Sequence, residues 1–312
     1  MSNDDLKIYS NDDAFEFLNK NMTLIKELMG KDDLYRYPVT WSFLNPAYLK
    51  YLLQMSDYLY VGTIEEDGEI YAILPFSISL GFPSPNMNRI EYLVMKPKTN
   101  LDDIESLFKK VLAVVDSHKV PLRFYFHEFV NPKVKDIVLK LGFKETGSIK
   151  GLVFDLNKDL DLPVGEEATV TPAEDPTTWF PMMLSYYGLP SAVVDHMTNV
   201  LSKQEEGLQD LMKSLFHRYI AHDSTGEIIG AIEFWTSTEY PQWTHLSVKD
   251  EYRRRGYGIS IMMAMWRKSV ELNYTKALGI VDSTNTPAYN LFTKLGAEVT
   301  SLTIYFDRLQ SE

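Results

Sequence analysis

The segment Arg253-Arg254-Arg255-Gly256-Tyr257-Gly258 sets three guanidinium groups against two glycines, between an apolar run and an amphipathic one. Glycine lets backbone curl and admits an anion with no Cβ in the way. The first turn of a helix leaves N–H groups unpaired at the positive end of its dipole. Arginine adds charge and can fork onto phosphate oxygens. These properties together predict a cradle for a phosphate or diphosphate. A basic cluster alone also reads as a solvated turn, and Gly-x-Gly alone is weak evidence.

Order makes the loop specific. An apolar strand over about 243–248 precedes it, a helix starting near Tyr257 follows, and a second strand, Ala277–Asn285, comes next. On the helix, Ile261, Met262, Met265, Trp266 and Val270 recur at helical spacing, so this Met-rich stripe is read as core. Asn285 precedes Thr286-Pro287, a pattern that caps a helix with proline near its first position.

The elements carrying the loop occur twice. GEIYAILPF (Gly68–Phe76) matches GEIIGAIEF (Gly226–Phe234), and NPKVKDIVLKLGFKETG (Asn131–Gly147) matches NTPAYNLFTKLGAEVTS (Asn285–Ser301). The two pairs keep nearly one offset, 158 and 154 residues, which predicts a duplication. The polar, acidic stretch Asn157–Pro172 marks the boundary, giving expected domains 1–158 and 159–312. Strands alternating with helices predict an α/β (α+β) fold. The first copy keeps strand and helix but not the loop: aligning LVMKP with LSVKD puts Asp103 and Glu105 near the two glycines. Carboxylates there repel a phosphate.

Bulk properties narrow the classes. The chain has 312 residues, 45% hydrophobic and 24% charged, as globular proteins are. The absence of cysteine excludes disulfides, thiolate metal sites and a cysteine nucleophile. A net charge of −12 disfavours nucleic acid as a partner. The opening MSNDDLKIYSNDD lacks the basic start and apolar run of a secretory leader, and no stretch reaches the roughly 18 apolar residues of a membrane span. A cytoplasmic protein without membrane attachment or metal, monomeric or homodimeric, is expected.

LSVKDEYRRRGYGISIM resembles the coenzyme A loop of the GNAT acyltransferase superfamily, Arg/Gln-x-x-Gly-x-Gly/Ala after a strand, with Arg253, Gly256 and Gly258 in place. NTPAYNLFTKLGA is similar to the family's downstream block, matching at Asn285, Ala288, Leu291, Leu295 and Gly296. The resemblance covers about 215–307 strongly and about 58–156 faintly, which implies two tandem GNAT-type domains, the first degenerate. It implies in each a mixed, mostly antiparallel twisted sheet flanked by helices, with splayed central strands in the second copy.

The resemblance further implies acyl transfer, most often of acetyl from acetyl-CoA, to a small-molecule or peptide amine. The cofactor would contact Leu246, Ser247 and Val248 through backbone, Arg253, Arg254, Arg255, Gly256, Tyr257, Gly258 and Ile259 in the loop, and Asn285 and Phe292 downstream. Asn285 reads equally as a helix cap. Phe292 departs from the family's tyrosine, which protonates the departing thiolate; Tyr289, one turn earlier, is the candidate replacement.

A base must take the proton of the amine. Strict alternation puts Gln242, Thr244, Leu246 and Val248 on the face where relatives carry it, and His245 on the other. His245 and Glu233 are the candidates, with Asp282 behind them, and Glu233 reads also as a strand-edge carboxylate. The aromatics of Thr178–Pro190 are a candidate substrate lid or simple helix packing. Two other functions stay open: a non-catalytic acyl-CoA or partner-binding module, for which Phe292 speaks, and an aminoacyl transferase using charged tRNA, against which the charge speaks.

Overall fold

The computed structural model describes residues 5–29, 56–80, 88–158, 160, 166–173, 179, 194, 195, 199, 216–236 and 240–309. The chain forms two compact units, and neither is contiguous. The first comprises Met1–Lys150, Asp282–Thr284 and Ser301–Glu312; the second comprises Gly151–Val281 and Asn285–Thr300.

In the first unit the described elements are β1 (Leu6–Ser10), α1 (Asn11–Lys20), α2 (Met22–Met29), β2 (Tyr58–Glu66), β3 (Glu69–Ile78), β4 (Arg89–Ile90), β5 (Val94–Met95), α3 (Leu101–His118), β6 (Leu122–Phe126) and α4 (Lys133–Lys140). β7 (Lys144–Asp155) and β13 (Glu298–Arg308) each give part of their length to it. Strand order is β1-β2-β3-β4-β6-β13, with β5 also on β3. The pairs β1–β2, β2–β3 and β13–β6 are antiparallel, while β4 and β6 are parallel. Leu74, Phe76, Ile78, Ile90 and Phe124 from the sheet bury against Leu107, Phe108 and Val111 of α3 and Val134 and Val138 of α4. α3 starts where Asn100 accepts from the Asp102 N–H, and Asp102 and Asp103 fill its first turn. That turn satisfies its dipole with its own carboxylates, as the duplicated sequence predicts.

The second unit holds the end of β7 with β8 (Thr169–Pro172), β9 (Phe216–His222), β10 (Ile228–Trp235), β11 (Gln242–Val248), α5 (Tyr257–Glu271), β12 (Lys276–Asp282, to Val281) and α6 (Thr286–Lys294). Strand order is β7-β12-β11-β10-β9-β8, a mixed sheet in which β11–β12 is parallel while β10–β11, β9–β10 and β8–β9 are antiparallel. Phe154, Trp243, Trp266, Phe234 and Phe292 share its core with Ile261, Met262 and Met265 of α5. The expected stripe therefore holds except at Val270, which is 47% exposed. Ser269 occupies the buried position instead, four residues beyond Met265, donating to the Met265 carbonyl and accepting from Trp243 Nε1.

Candidate functional site

β11 and β12 part early. They pair in parallel only at Gln242–Leu278 and Trp243–Gly279, after which β11 continues to Val248. On the other side it stays bound to β10, pairing Ser247 with Ala231 and Val248 with Gly230. Gly230 is required there, since a Cβ would collide with the carbonyl oxygen of Ser247. The parted edge presents backbone of Thr244–Val248 with no strand of the described residues paired to it on that side. Ser247 Oγ is buried with no hydrogen-bond partner among the described residues.

The register slips by one residue between Ala231 and Glu233: His245 and Leu246 of β11 stand opposite Ile232 alone. At this β-bulge His245 takes a left-handed conformation, φ 55°. The extra residue cancels the alternation on which the expected placement of His245 depended. Thr244 Oγ1 donates to Glu233 Oε1 at 3.3 Å, and His245 Nε2 lies 3.8 Å from the same oxygen. Neighbours in sequence thus share one carboxylate, and His245 stands on the side from which alternation excludes it.

Glu233 is buried and well occupied. Arg218 Nε donates to its Oε2 at 3.0 Å, and Trp235 Nε1 donates to Oε1 at 2.7 Å. Arg218, also buried, lies against the rings of Trp179 and Phe216. His245 keeps 43% of its side chain exposed, so it rather than Glu233 faces solvent. Loss of hydration pulls its imidazolium below the ordinary histidine value; Glu233 opposes that shift and Arg218 adds to it. Arg218 is a residue that sequence reading missed, although a lone cation in the apolar strand FHRYIAH is the sign of a buried partner.

From β11 the chain passes through a short 3-10 turn, Asp250–Tyr252, into the basic loop. Arg253 closes the turn, Nε donating to the Val248 carbonyl at 3.0 Å and a terminal nitrogen pairing with Asp250 at 2.9 Å. Arg254 is left-handed (φ 65°), and Gly256 caps α5 at φ 100°, a backbone that L side chains rarely adopt. Arg255 lies 5.4 Å from the ring centre of Tyr252. The first amides bonding back into the helix are those of Ile259 and Ser260, both to the Gly256 carbonyl, so Tyr257 and Gly258 precede the first intrahelical bond.

Segment Glu166–Ala168 pins this turn. The Glu166 N–H donates to the Arg255 carbonyl at 3.1 Å, its carboxylate accepts from Tyr257 Oη, and the Ala168 N–H donates to Ser260 Oγ. That donation to Glu166 pushes the Tyr257 phenol up to about 12. The peptide is planar and trans, so fixing the Arg255 carbonyl also aims the Gly256 N–H the opposite way. Left-handed cap, early amides and flanking arginines form a concavity suited to an anion, and the parted strands leave a slot leading from it.

The remaining expected residues are placed as follows. Asn285 caps α6, accepting from the Ala288 N–H at 3.2 Å. Phe292 is buried edge-on to Phe154, 5.8 Å between ring centres. Tyr289 is half-buried against the core of the second unit. Asp282 belongs to the first unit, where it accepts from Tyr305 Oη, Thr284 Oγ1 and the Thr284 N–H. Burial works to raise its carboxyl, yet these bonds and Arg123 hold it below the usual range. Of Thr178–Pro190 only Trp179 lies within the described residues; it is buried and donates to the Tyr219 carbonyl. Among the described residues no helix is long and apolar enough to cross a membrane, and no cluster of His, Asp and Glu forms a metal site.

Residues 192–297 match the family described as Acetyltransferase (GNAT) family. No curated protein sequence matches the chain. Among solved structures, a tandem GNAT protein from the clavulanic acid biosynthesis pathway superposes with TM-score 0.70 at 15% identity, covering 98% of this chain and 100% of its own. A GCN5-related N-acetyltransferase from Sphaerobacter thermophilus gives 0.67 at 12% identity, with 99% and 96% covered. The glucosamine N-acetyltransferase region of a fungal multi-domain β-N-acetylglucosaminidase gives 0.61 at 14%, covering 96% of this chain and 38% of that one.

Proposed function

Since residues 192–297 belong to the GNAT acetyltransferase family and the whole chain has the fold of tandem GNAT proteins, we propose that this protein transfers an acyl group, acetyl in the first instance, from acyl-CoA to an amine within its second unit. The observation that carries the reading is the parting of β11 from β12 directly before the Gly256 turn, which joins a slot to an anion cradle. Bound acetyl-CoA would supply an activated thioester. The chain supplies the rest.

The amides at the start of α5 hold the diphosphate, with Arg254 and Arg255 adding charge. Backbone at Leu246–Val248 lines the arm and polarises the thioester carbonyl. Asn285 contributes through the helix it caps. His245, neutral at pH 7 because its conjugate acid is held low, takes the proton of the attacking nitrogen. Glu233 is a positioning residue. At 3.8 Å it is too far for a hydrogen bond, but it stabilises the imidazolium, while Arg218, Trp235 and Thr244 hold it still. Tyr289 is the phenol available on α6 to protonate the thiolate, and Phe292 packs instead. Segments 1–158 and 159–312 stand as the duplicated sequences from which the interleaved units arose.

Phe292 favours a second reading, a module that binds acyl-CoA without turnover. One assay separates the two. Acetyl-CoA binds with one site per chain under both, and free thiol appears with an amine panel only under the first. No thiol with any amine, despite tight binding, leaves the second; no binding ends both.

A further inference from the structure

Glu91 of the first unit is left unused by the reading above. It is 1% exposed. Its Oε1 accepts from Arg89 Nε at 2.6 Å and the carboxylate is also bonded by Ser77, but Oε2 has no hydrogen-bond partner among the described residues. Leaving a buried carboxylate oxygen unpaired is costly. Phe76 pairs with Ile90, and both pack on α3 and α4; Ser77 pairs with Arg89. By alternation Ser77, Arg89 and Glu91 lie on the opposite face.

This position is the counterpart of the proposed acceptor site in the second unit. The first unit repeats the bulge: three residues, Glu91–Leu93, stand between the pairs Ile90–Phe76 and Val94–Ile73, against two on β3. Glu91 matches Thr244, Tyr92 matches His245, and Pro75, whose carbonyl takes the Glu91 N–H, matches Glu233. In the second unit both carboxylate oxygens are taken by protein donors. In the first, one has no such donor among the described residues.

We propose that the first unit holds a binding site for a small primary amine, whose N–H groups donate to Glu91 Oε2. Without a phosphate cradle beside it, the site senses an amine and does not acylate it. The site stands on the buried carboxylate; the choice of an amine rests on reading the second unit as amine-acylating. Burial drives the Glu91 carboxyl up to about 7 against the pull of Arg89 and Ser77. The other groups beside it are the buried Tyr92 phenol and a neutral His127 whose ring reaches the Glu91 carbonyl; on α2, which packs on β5, Lys26 and Glu27 are exposed to solvent. The ionised carboxylate is the better acceptor, so affinity rises with pH through about 7.

The test uses the full chain, ¹⁵N-labelled, titrated without acyl-CoA by methylammonium, ethanolamine and glucosamine, with methanol as the nitrogen-free control. Saturable shifts at the Glu91, Tyr92 and His127 amides are expected, retained in His245→Ala and weakened at least about tenfold in Glu91→Gln. Shifts confined to residues 216–248, or indifferent to Glu91→Gln, overturn the proposal. So does methanol acting like the amines, or no amine acting at all, which leaves buried water as the partner of Oε2. Should Glu91→Gln fail to fold, the wild-type pH series decides, and pH-independent binding sinks the idea. Because acyl-CoA is absent, failed acyl transfer in the second unit leaves this result untouched.

Discussion

At the bulge the first unit places Glu91 and Tyr92 where the second places Thr244 and His245, and Pro75 where the second places Glu233. Each unit sets a buried carboxylate against an arginine beside the extra residue, but from different strands: Glu91 with Arg89 along one strand, Glu233 with Arg218 across two. The bulge is common to both units, and the charges around it are arranged differently. The strand gaps differ more. β4 and β6 also stop pairing after two residue pairs, Arg89–Arg123 and Ile90–Phe124. Their gap is filled by His127, wholly buried, whose Nε2–H donates to the Glu91 carbonyl while Nδ1 accepts from the Thr303 hydroxyl. The first unit fills that gap and sets Asp102 and Asp103 at its helix start; the second leaves β11 and β12 parted before the Gly256 turn.

The largest expected effect tests which copy does chemistry. His245→Ala should lower kcat by about 10²–10⁴-fold with little change in acetyl-CoA affinity, while Tyr92→Phe at the matching position leaves turnover unchanged. His245→Gly, which accepts the left-handed backbone freely, should lose as much. Wild-type rates in that variant would reduce His245 to a backbone role. The imidazole acts when deprotonated, so kcat/KM falls as pH drops through a midpoint below 6.5.

The next effect belongs to the first unit. The Glu91 carboxyl goes from 4.5 unfolded to about 7 folded, so the native state holds an extra proton in between and stability falls as pH rises across that window. Burial takes His127 from 6.5 down to about 4, so the native state holds fewer protons there and stability falls as pH drops. Across its window each change amounts to about 3 kcal/mol, and the two oppose one another where the windows overlap. Denaturant melts of Glu91→Gln should reveal stability rising with pH, and of His127→Asn stability falling with pH, with wild type flatter than either. Identical slopes in all three would show that neither group is held as the geometry implies.

Gly256→Val should weaken acetyl-CoA binding by about ten- to a hundredfold, since a β-branched residue at φ 100° breaks the cap. Replacing Asp103 and Glu105 by glycine in the first unit should create no second coenzyme site, because His127 still fills the gap. Two acetyl-CoA molecules per chain in that variant would break the comparison.

The loop, its helix and the α6 cap were legible in sequence because each rests on contacts within a few residues. Glycine, arginine and asparagine at fixed offsets leave little freedom to tertiary context. The bulge was not, since one extra residue in a strand has no local signature and reverses every face beyond it. That is why His245 was read onto the wrong side, and why Arg218, joined to Glu233 only through strand register, escaped notice. The composition of the units was equally hidden: Ile304–Arg308 pairs with Leu122–Phe126 of the first copy, a choice made between distant strands of similar sequence.

The smallest effect is the most specific. The turn proposed as an anion cradle is steadied from outside the loop, through the Glu166 N–H on the Arg255 carbonyl and the Glu166 carboxylate on Tyr257. The two contacts oppose each other in their effect on a bound diphosphate: the amide bond orients the Gly256 N–H toward it, while the carboxylate adds a like charge nearby. Glu166→Pro removes the amide donor and should weaken acetyl-CoA binding by up to about tenfold, the scale of one hydrogen bond. Glu166→Gln keeps the amide and the bond to Tyr257 but not the charge, and should leave binding equal or slightly tighter. Calorimetry on both, with melting to confirm the fold, separates orientation from charge. Equal losses in the two variants would mean that the cradle is held by the side chain and that the peptide plane is incidental.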